Sequence, residues 1–203
     1  MVHPKQAHHL ARLLPIVFDV ETGGVRFQTD ALLEVAAIPL EYDADQGWQM
    51  AQPLHFHVQP FEGSRLDPDA MAIHGIDPDH PFRGAISESD MCTQLTAGLK
   101  PYLERHHCHR GILVGHNAHF DLNFLMAAAQ RCQHKLPIHA FTCFDTATMG
   151  AFWYGETVLA RILAKAGIAF DAQEAHSALY DAQVTAVLTC QWLNQRAHLP
   201  KIK

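Results

Sequence analysis

The sequence predicts an α/β fold, a mixed five-stranded sheet flanked by helices. Two observations carry that expectation. Up to about residue 60 the apolar residues run together or alternate as they do in strands. Beyond residue 87 the period changes to that of helices, broken by two short apolar runs that read as further strands. At 203 residues and 48% hydrophobic content the chain suits a single domain with a sizeable core. That domain is expected to occupy residues 1–203, with its core at about 12–195 and a short tail at either end.

Residues 16–22 (IVFDVET) are the first strand candidate. Residues 31–43 (ALLEVAAIPLEYD) form a long second one, and 53–60 (PLHFHVQP) alternate as a third. The turn residues 45–48 (DQGW) join the second to the third, so the three are expected to form an antiparallel meander. A helix follows over 87–107, with Ser87 or Ser89 as its cap and Pro101 as a candidate kink. A short buried strand over 111–117 leads into a helix over 118–132. A fifth strand over 141–146 precedes helical segments near 145–152 and 157–167 and a last helix over 177–195. The strand order implied by this succession puts the first strand near the centre of the sheet.

Bulk properties narrow the class. No apolar run approaches a membrane span, and the N-terminal residues lack the apolar core of a signal peptide, so a soluble cytoplasmic protein with no membrane association is expected. The five cysteines are scattered without a C-x-x-C pair, which suits reduced thiols. A net charge of −6 argues against coating long nucleic acid, but not against gripping a few nucleotides at a strand end. The histidine-rich stretch 103–110 (LERHHCHR) reads as a solvated turn after a helix rather than a metal trap.

Four acids stand where apolar residues belong. Asp19 and Glu21 are two residues apart in the first strand, so they share a face at roughly 7 Å. Asp121 falls on a helical stripe with Phe124, Leu125 and Ala128, and Asp181 on one with Val184, Leu188 and Trp192. Each alone can be structural, Asp121 as a helix cap or salt-bridge partner. Together they fit a divalent-cation site, because hard oxygen ligands suit Mg²⁺ or Mn²⁺ and the cation offsets their repulsion. Two such ions stabilise the attacking and leaving oxygens in phosphodiester cleavage. His176 lies five residues before Asp181, just ahead of a helix capped by Ser177, and is placed to take a proton from the attacking water.

The segments FDVETGG, GHNAHFD and AHSALYD resemble the three motifs of the D-E-D-D exonuclease superfamily, in the subgroup with a catalytic histidine. The surrounding stretches DALLEVAAIPL, LHFHVQPFEGS, GIDPDHPFRGA and FDLNFLMAAAQR are similar to the ribonuclease T family within it, over nearly all of residues 12–195. The resemblance implies a ribonuclease H-like fold, a homodimer, and removal of nucleotides from single-stranded 3′ ends as nucleoside 5′-monophosphates. It implies two Mg²⁺ ions per site, with Mn²⁺ able to substitute. Its RNA partners are transfer RNA and ribosomal RNA precursors, with single-stranded DNA a further substrate. Asp19 is expected to bridge both ions, Glu21 and Asp181 to complete the site of the attacking water, Asp121 to serve the second ion, and His176 to be the general base.

The family also stacks terminal bases on phenylalanines. Phe120 and Phe141 match two of those positions, while Val25 and Ile73 stand where the family commonly has phenylalanine. Phe120, taken to lie on a different helix face from Phe124, is expected to contact a base; Phe141 reads equally as core. In AIHGID (72–77), Gly75 is expected to let the backbone approach the ligand, and His74 is either a sugar contact or a solvated turn residue. Arg110 and Lys135, with Arg12 nearby, match basic positions that hold the RNA stem across the dimer. A proofreading DNA exonuclease or an oligoribonuclease keeps the same chemistry. A binding module with a dead site does not explain why four inward carboxylates and His176 are all present.

Overall fold

The computed structural model describes Leu10 and residues 12–196, the side chain of Arg196 excepted; the rest of both expected tails lies outside the described residues. Twelve elements follow in order: β1 (Leu13–Thr22), β2 (Leu32–Asp43), β3 (Gly47–Met50), β4 (Leu54–His57), α1 (Pro68–His74), α2 (Glu88–Arg105), β5 (Arg110–Gly115), α3 (His119–Arg131), β6 (Ile138–Asp145), α4 (Thr146–Tyr154), α5 (Leu159–Ala166) and α6 (Ala178–Arg196). The sheet is mixed and has six strands, not five. Its order is β3-β2-β1-β5-β6, with β4 also pairing β2. β1 is central as expected, antiparallel to β2 and parallel to β5.

The sixth strand arises because β2 is long enough to serve two partners on one edge. Its end, Leu40–Asp43, pairs with β3, and its first part, Glu34–Ala37, pairs with β4. The expected turn at 45–48 is thus partly strand. β3 is also held by Asn194 of α6, whose side chain accepts from the Trp48 N–H at 2.7 Å and donates to the Trp48 carbonyl at 3.1 Å.

Helices cover both faces. Residues 16, 18 and 20 of β1 face α2 and α3 through Phe18, Phe124, Leu95 and Leu99, all fully buried. Val17, with Ala36 and Ile38 of β2, faces the small side chains of α6, Ala178, Ala182 and Ala186. These alanines let α6 lie close to the sheet. Ser87 caps α2, accepting from the Asp90 N–H at 3.0 Å, and the helix runs on through Pro101. α1 did not appear in the sequence reading; it is seven residues long and buries none of them.

One ion pair joins α2 to α3. The Arg131 guanidinium meets buried Glu88 with two bonds, at 2.9 and 2.7 Å, lies over the Phe61 ring, and donates to the Phe27 carbonyl. Glu88 has no other cation among the described salt bridges. Substituting Arg131→Ala strands a buried charge, and urea unfolding is expected to show a loss of about 3 kcal/mol; a loss below about 1 kcal/mol would mean that the pair does not carry this contact.

Candidate active site

The acids converge at the C-terminal end of β1. The register pairs Asp19 with Ala36 and Glu21 with Glu34, then slips between Glu21 and Thr22. This irregularity ends the regular pairing directly after the second acid, as bulges beside functional sites commonly do. α6 begins above the same face and delivers Asp181 in its first turn. One carboxylate oxygen each from Asp19, Glu21 and Asp181 lie within 4.8 Å of one another. Asp121 enters from the first turn of α3 and is 3% exposed. Gly115, at the end of β5, leaves room for it: a Cβ there would sit 3.2 Å from Asp121 Oδ2.

Burial raises all four groups, and the charges of the other acids add to it at Asp19 and Glu21. Asp19 is pushed far above the usual carboxylate range, first by desolvation and then by the charges of Asp121, Asp181, Glu21 and Glu34. Desolvation, with Glu34 and Asp181, lifts Glu21 to about 8. Asp121 is raised by desolvation against the lowering pull of two backbone amides, its own and that of Val20. Asp181 is raised by desolvation, with partial relief from the His176 amide and the nearby imidazoles of His176 and His116. Among the described residues no salt bridge reaches any of the four. An all-oxygen donor set without a protein counter-ion fits a hard divalent cation.

His176 is exposed and has φ 67°, an uncommon backbone state for a residue with a side chain. Its N–H donates to Asp181 Oδ2 at 3.0 Å, which ties the loop to the carboxylate across the helix start. The Ser177 carbonyl accepts from the Asp181 N–H and so begins α6.

Three neighbours did not stand out in the sequence. Glu34 is 6% exposed and paired in register with Glu21. His116 donates or accepts at Thr146 Oγ1 (3.0 Å) and lies close enough to act on Asp181. Asp145 caps α4 and accepts from the Asn117 and Ala147 N–H groups and the Thr148 hydroxyl. Burial pushes the Asp145 carboxyl up, yet these bonds outweigh it and hold it below its ordinary value. An acid inside an apolar run was the available signal for Glu34; His116 and Asp145 offered none.

The contact residues fall into two groups. Val25, Ile73 and Phe141 are exposed, at 77%, 61% and 82%, so Phe141 is not a core residue. It stands on a register break of β6, where the residues between Ile138 and Cys143 bulge out from β5. Phe120 is half-buried and lies against Phe124, ring centroids 4.9 Å apart, so the two share a side of the helix at i, i+4. Gly75 has a structural cause: at φ 67° it caps α1, its N–H bonded to the Met71 carbonyl, with open space where a Cβ would be. His74 is half-buried and bonded at both ring nitrogens. Its Nε2 meets the Thr22 carbonyl at 3.1 Å while Nδ1 accepts from the Ile76 N–H, bracing α1 against the end of β1. Arg12, Arg110 and Lys135 are exposed. Arg12 precedes β1 and Arg110 begins β5, at the end of these two strands opposite the carboxylates, so neither joins them within one chain.

The exonuclease family model RNase_T matches residues 16–189. Ribonuclease T of Yersinia enterocolitica is 50% identical over 183 residues, which is 89% of this chain and 85% of that protein. Ribonuclease T of Shewanella oneidensis is 46% identical over 192 residues, 94% of this chain and 86% of that one. In fold, the chain is similar to Escherichia coli exonuclease I in complex with a dT13 oligonucleotide (TM-score 0.69, 18% identity), covering 91% of this chain but only 42% of that longer one. It is similar also to a 3′-exonuclease that recognises the histone mRNA stem-loop (TM-score 0.70, 16% identity, 90% and 82% covered). Both share the ribonuclease H-like fold seen here.

Glu21 gives a pH test with a definite sign. Its folded pKa of about 8 exceeds the ordinary 4.5, so the folded state holds a proton that the unfolded chain releases first. Without divalent cation, stability is therefore greatest below pH 4.5 as far as this group decides it, and falls as pH rises toward 8. Melting in EDTA is expected to show a Tm that drops across this window, Glu21→Gln to flatten the drop, and Mg²⁺ to restore Tm most at pH 8. An EDTA profile identical for both proteins removes Glu21 as the cause.

Proposed function

The chain belongs to the ribonuclease T family of exonucleases, and from that premise we propose that it trims single-stranded 3′ ends of RNA, releasing nucleoside 5′-monophosphates. The observation that carries this reading is the trio of Asp19, Glu21 and Asp181, carboxylate oxygens within 4.8 Å and, among the described residues, no salt bridge to offset them. Such a cluster is costly unless divalent ions occupy it.

In this reading Asp19, Glu21 and Asp181 hold one Mg²⁺, and Asp19 with Asp121 a second, with Mn²⁺ able to replace either. When bound, the ions stabilise charge on the attacking and leaving oxygens of the displacement. His176 accepts the proton of the attacking water, its position fixed by the N–H bond to Asp181. His74 keeps α1, which carries Ile73, against the end of β1. Val25, Ile73 and Phe141 offer exposed apolar surface to unstacked bases, and Phe120 a partly covered ring. Two aliphatic groups in place of aromatic ones give a flatter preference among terminal bases.

The substrates are the 3′ ends of transfer RNA and ribosomal RNA precursors in the cytoplasm, with single-stranded DNA as a further one. Among the described residues no helix is long and apolar enough to cross a membrane. Residues 1–203 act as one exonuclease domain. A homodimer makes sense of the basic side chains: Arg12, Arg110 and Lys135 serve an RNA stem entering the partner's site, since in their own chain Arg12 and Arg110 lie at the strand ends opposite the acids.

The test uses a 5′-labelled RNA with a 3′ overhang, incubated with Mg²⁺ or EDTA. A ladder shortening from the 3′ side is expected with Mg²⁺ alone, and none from Asp181→Ala. His176→Ala is expected to keep Mg²⁺ binding and lose turnover by about 10²–10⁴-fold. Full turnover in that variant removes the base from the mechanism. A single-stranded DNA arm degraded faster than RNA would reverse the substrate order.

Stacking has its own measurement. Phe141→Ala is expected to weaken binding of a single-stranded overhang by about 1–3 kcal/mol, while its melting temperature stays put because the ring covers no core. Unchanged affinity means that Phe141 does not touch the nucleic acid.

A further inference from the structure

The face of the sheet that carries the catalytic acids continues across β2 into β4. Asp19 pairs with Ala36, and Ala36 with His55; Glu21 pairs with Glu34, and Glu34 with His57. Residues directly opposite on antiparallel strands share a face, so two rows run from the acids to two histidines. At the far end of these rows one ligand atom each from Glu34, His55 and His57 lie within 4.8 Å of one another. His55 Nε2 is 2.6 Å from Glu34 Oε1, and the two imidazole centroids are 4.9 Å apart.

From this arrangement we propose that Glu34, His55 and His57 form a second metal site, distinct from the catalytic one and suited to a transition-metal ion, Zn²⁺ above all. Two imidazole nitrogens and one carboxylate oxygen are a donor set that Zn²⁺ takes with a position left open, whereas Mg²⁺ prefers oxygen throughout. The catalytic trio is all oxygen, so the two sites sort metals by chemistry rather than by size.

Three features favour a metal over a simple histidine–carboxylate bond. His57 Nδ1 is sealed from solvent with no hydrogen-bond partner among the described residues, an arrangement that costs free energy unless something satisfies it. Burial lowers the His57 pKa against the opposing pull of Glu34, which keeps the imidazole neutral and its lone pair available. Arg83, whose charge Glu34 feels, makes no salt bridge to it among the described residues: its terminal nitrogens donate to the carbonyls of Val58 and Leu33, and its Nε has no partner there. His55 is exposed and gives the ion a way in. A bound ion clamps β4 to β2 and neutralises Glu34 beside Glu21.

Zn²⁺ titration of the full chain against a chromophoric chelator tests the site. The wild type is expected to bind one more Zn²⁺ than the His55→Gln/His57→Gln double variant, and the Asp19→Asn/Asp181→Asn double variant to keep that extra ion. Zn²⁺ is expected to raise the Tm of the wild type but not of the histidine double variant. Should the double variant fold poorly, the exposed single change His55→Gln must lower the affinity of this ion by about tenfold or more. Equal Zn²⁺ binding by wild type and histidine variants, or loss of the extra ion in the aspartate variant, overturns the proposal. Mg²⁺-dependent trimming is measured separately, so failure here leaves the catalytic reading standing.

Discussion

The structure is organised around a repulsion. Asp19, Glu21, Asp121 and Asp181 are brought to the end of one central strand, and each raises or is raised by its neighbours. The few backbone bonds to Asp121 and Asp181 do not undo the raising of either group, so the stability that tolerates the cluster comes from the apolar layers on either side of β1. Phe18, Phe124, Leu95 and Leu99 on one face and the alanines of α6 on the other supply that support. The functional end of the sheet carries this repulsion, and the remaining contacts hold it in place.

Topology explains why four separate segments meet there. β1 and β5 run parallel, so their C-terminal ends point the same way, and β5 stops beside Phe18, where α3 takes over and brings Asp121 to the acids of β1. Each acid beyond β1 sits in the first turn of a helix, Asp121 in α3 and Asp181 in α6. Helix starts carry partial positive charge and spare N–H groups, which tempers the repulsion. Small residues complete the geometry: Gly115 makes space for Asp121, and Ala36 lets α6 approach beside Asp19.

The inward acids were legible because they break an apolar pattern that the fold must otherwise respect. The order of strands around β1 was legible for a related reason: three extended segments followed by alternating helices and strands leave few ways to build a sheet. Glu34 carries the same signal as Asp19, yet a single acid in a strand of nine consecutive buried residues reads as part of the strand. α1 and β3 were invisible to periodicity, since one buries nothing and the other is four residues long. The structural roles of Gly75 and His74, a cap and a brace, follow from α1 and so were not legible before the helix was. Phe120 was misplaced for a simpler reason: i, i+4 neighbours on a helix share a side, and the ring lies on Phe124. The bulge that exposes Phe141 depends on the register of β6 against β5, which no local pattern encodes.

Register also decides which charges feel one another. Had β2 slipped by one residue against β1, Glu34 would turn to the opposite face, into the layer of Phe18 and Phe124, where nothing could satisfy it. The observed pairing instead places it between Glu21 and His57, one strand from each. In that position its charge adds to the load on Glu21 and Asp19, and the same charge draws His55 to hydrogen-bonding distance. A group that only burdened the catalytic cluster would be better replaced by an apolar side chain of similar volume. Its place at the junction of an all-oxygen cluster and a mixed nitrogen–oxygen one gives the buried carboxylate a reason to be there: it links the electrostatics of the two, so that whatever neutralises Glu34 also eases the ionisation of Glu21.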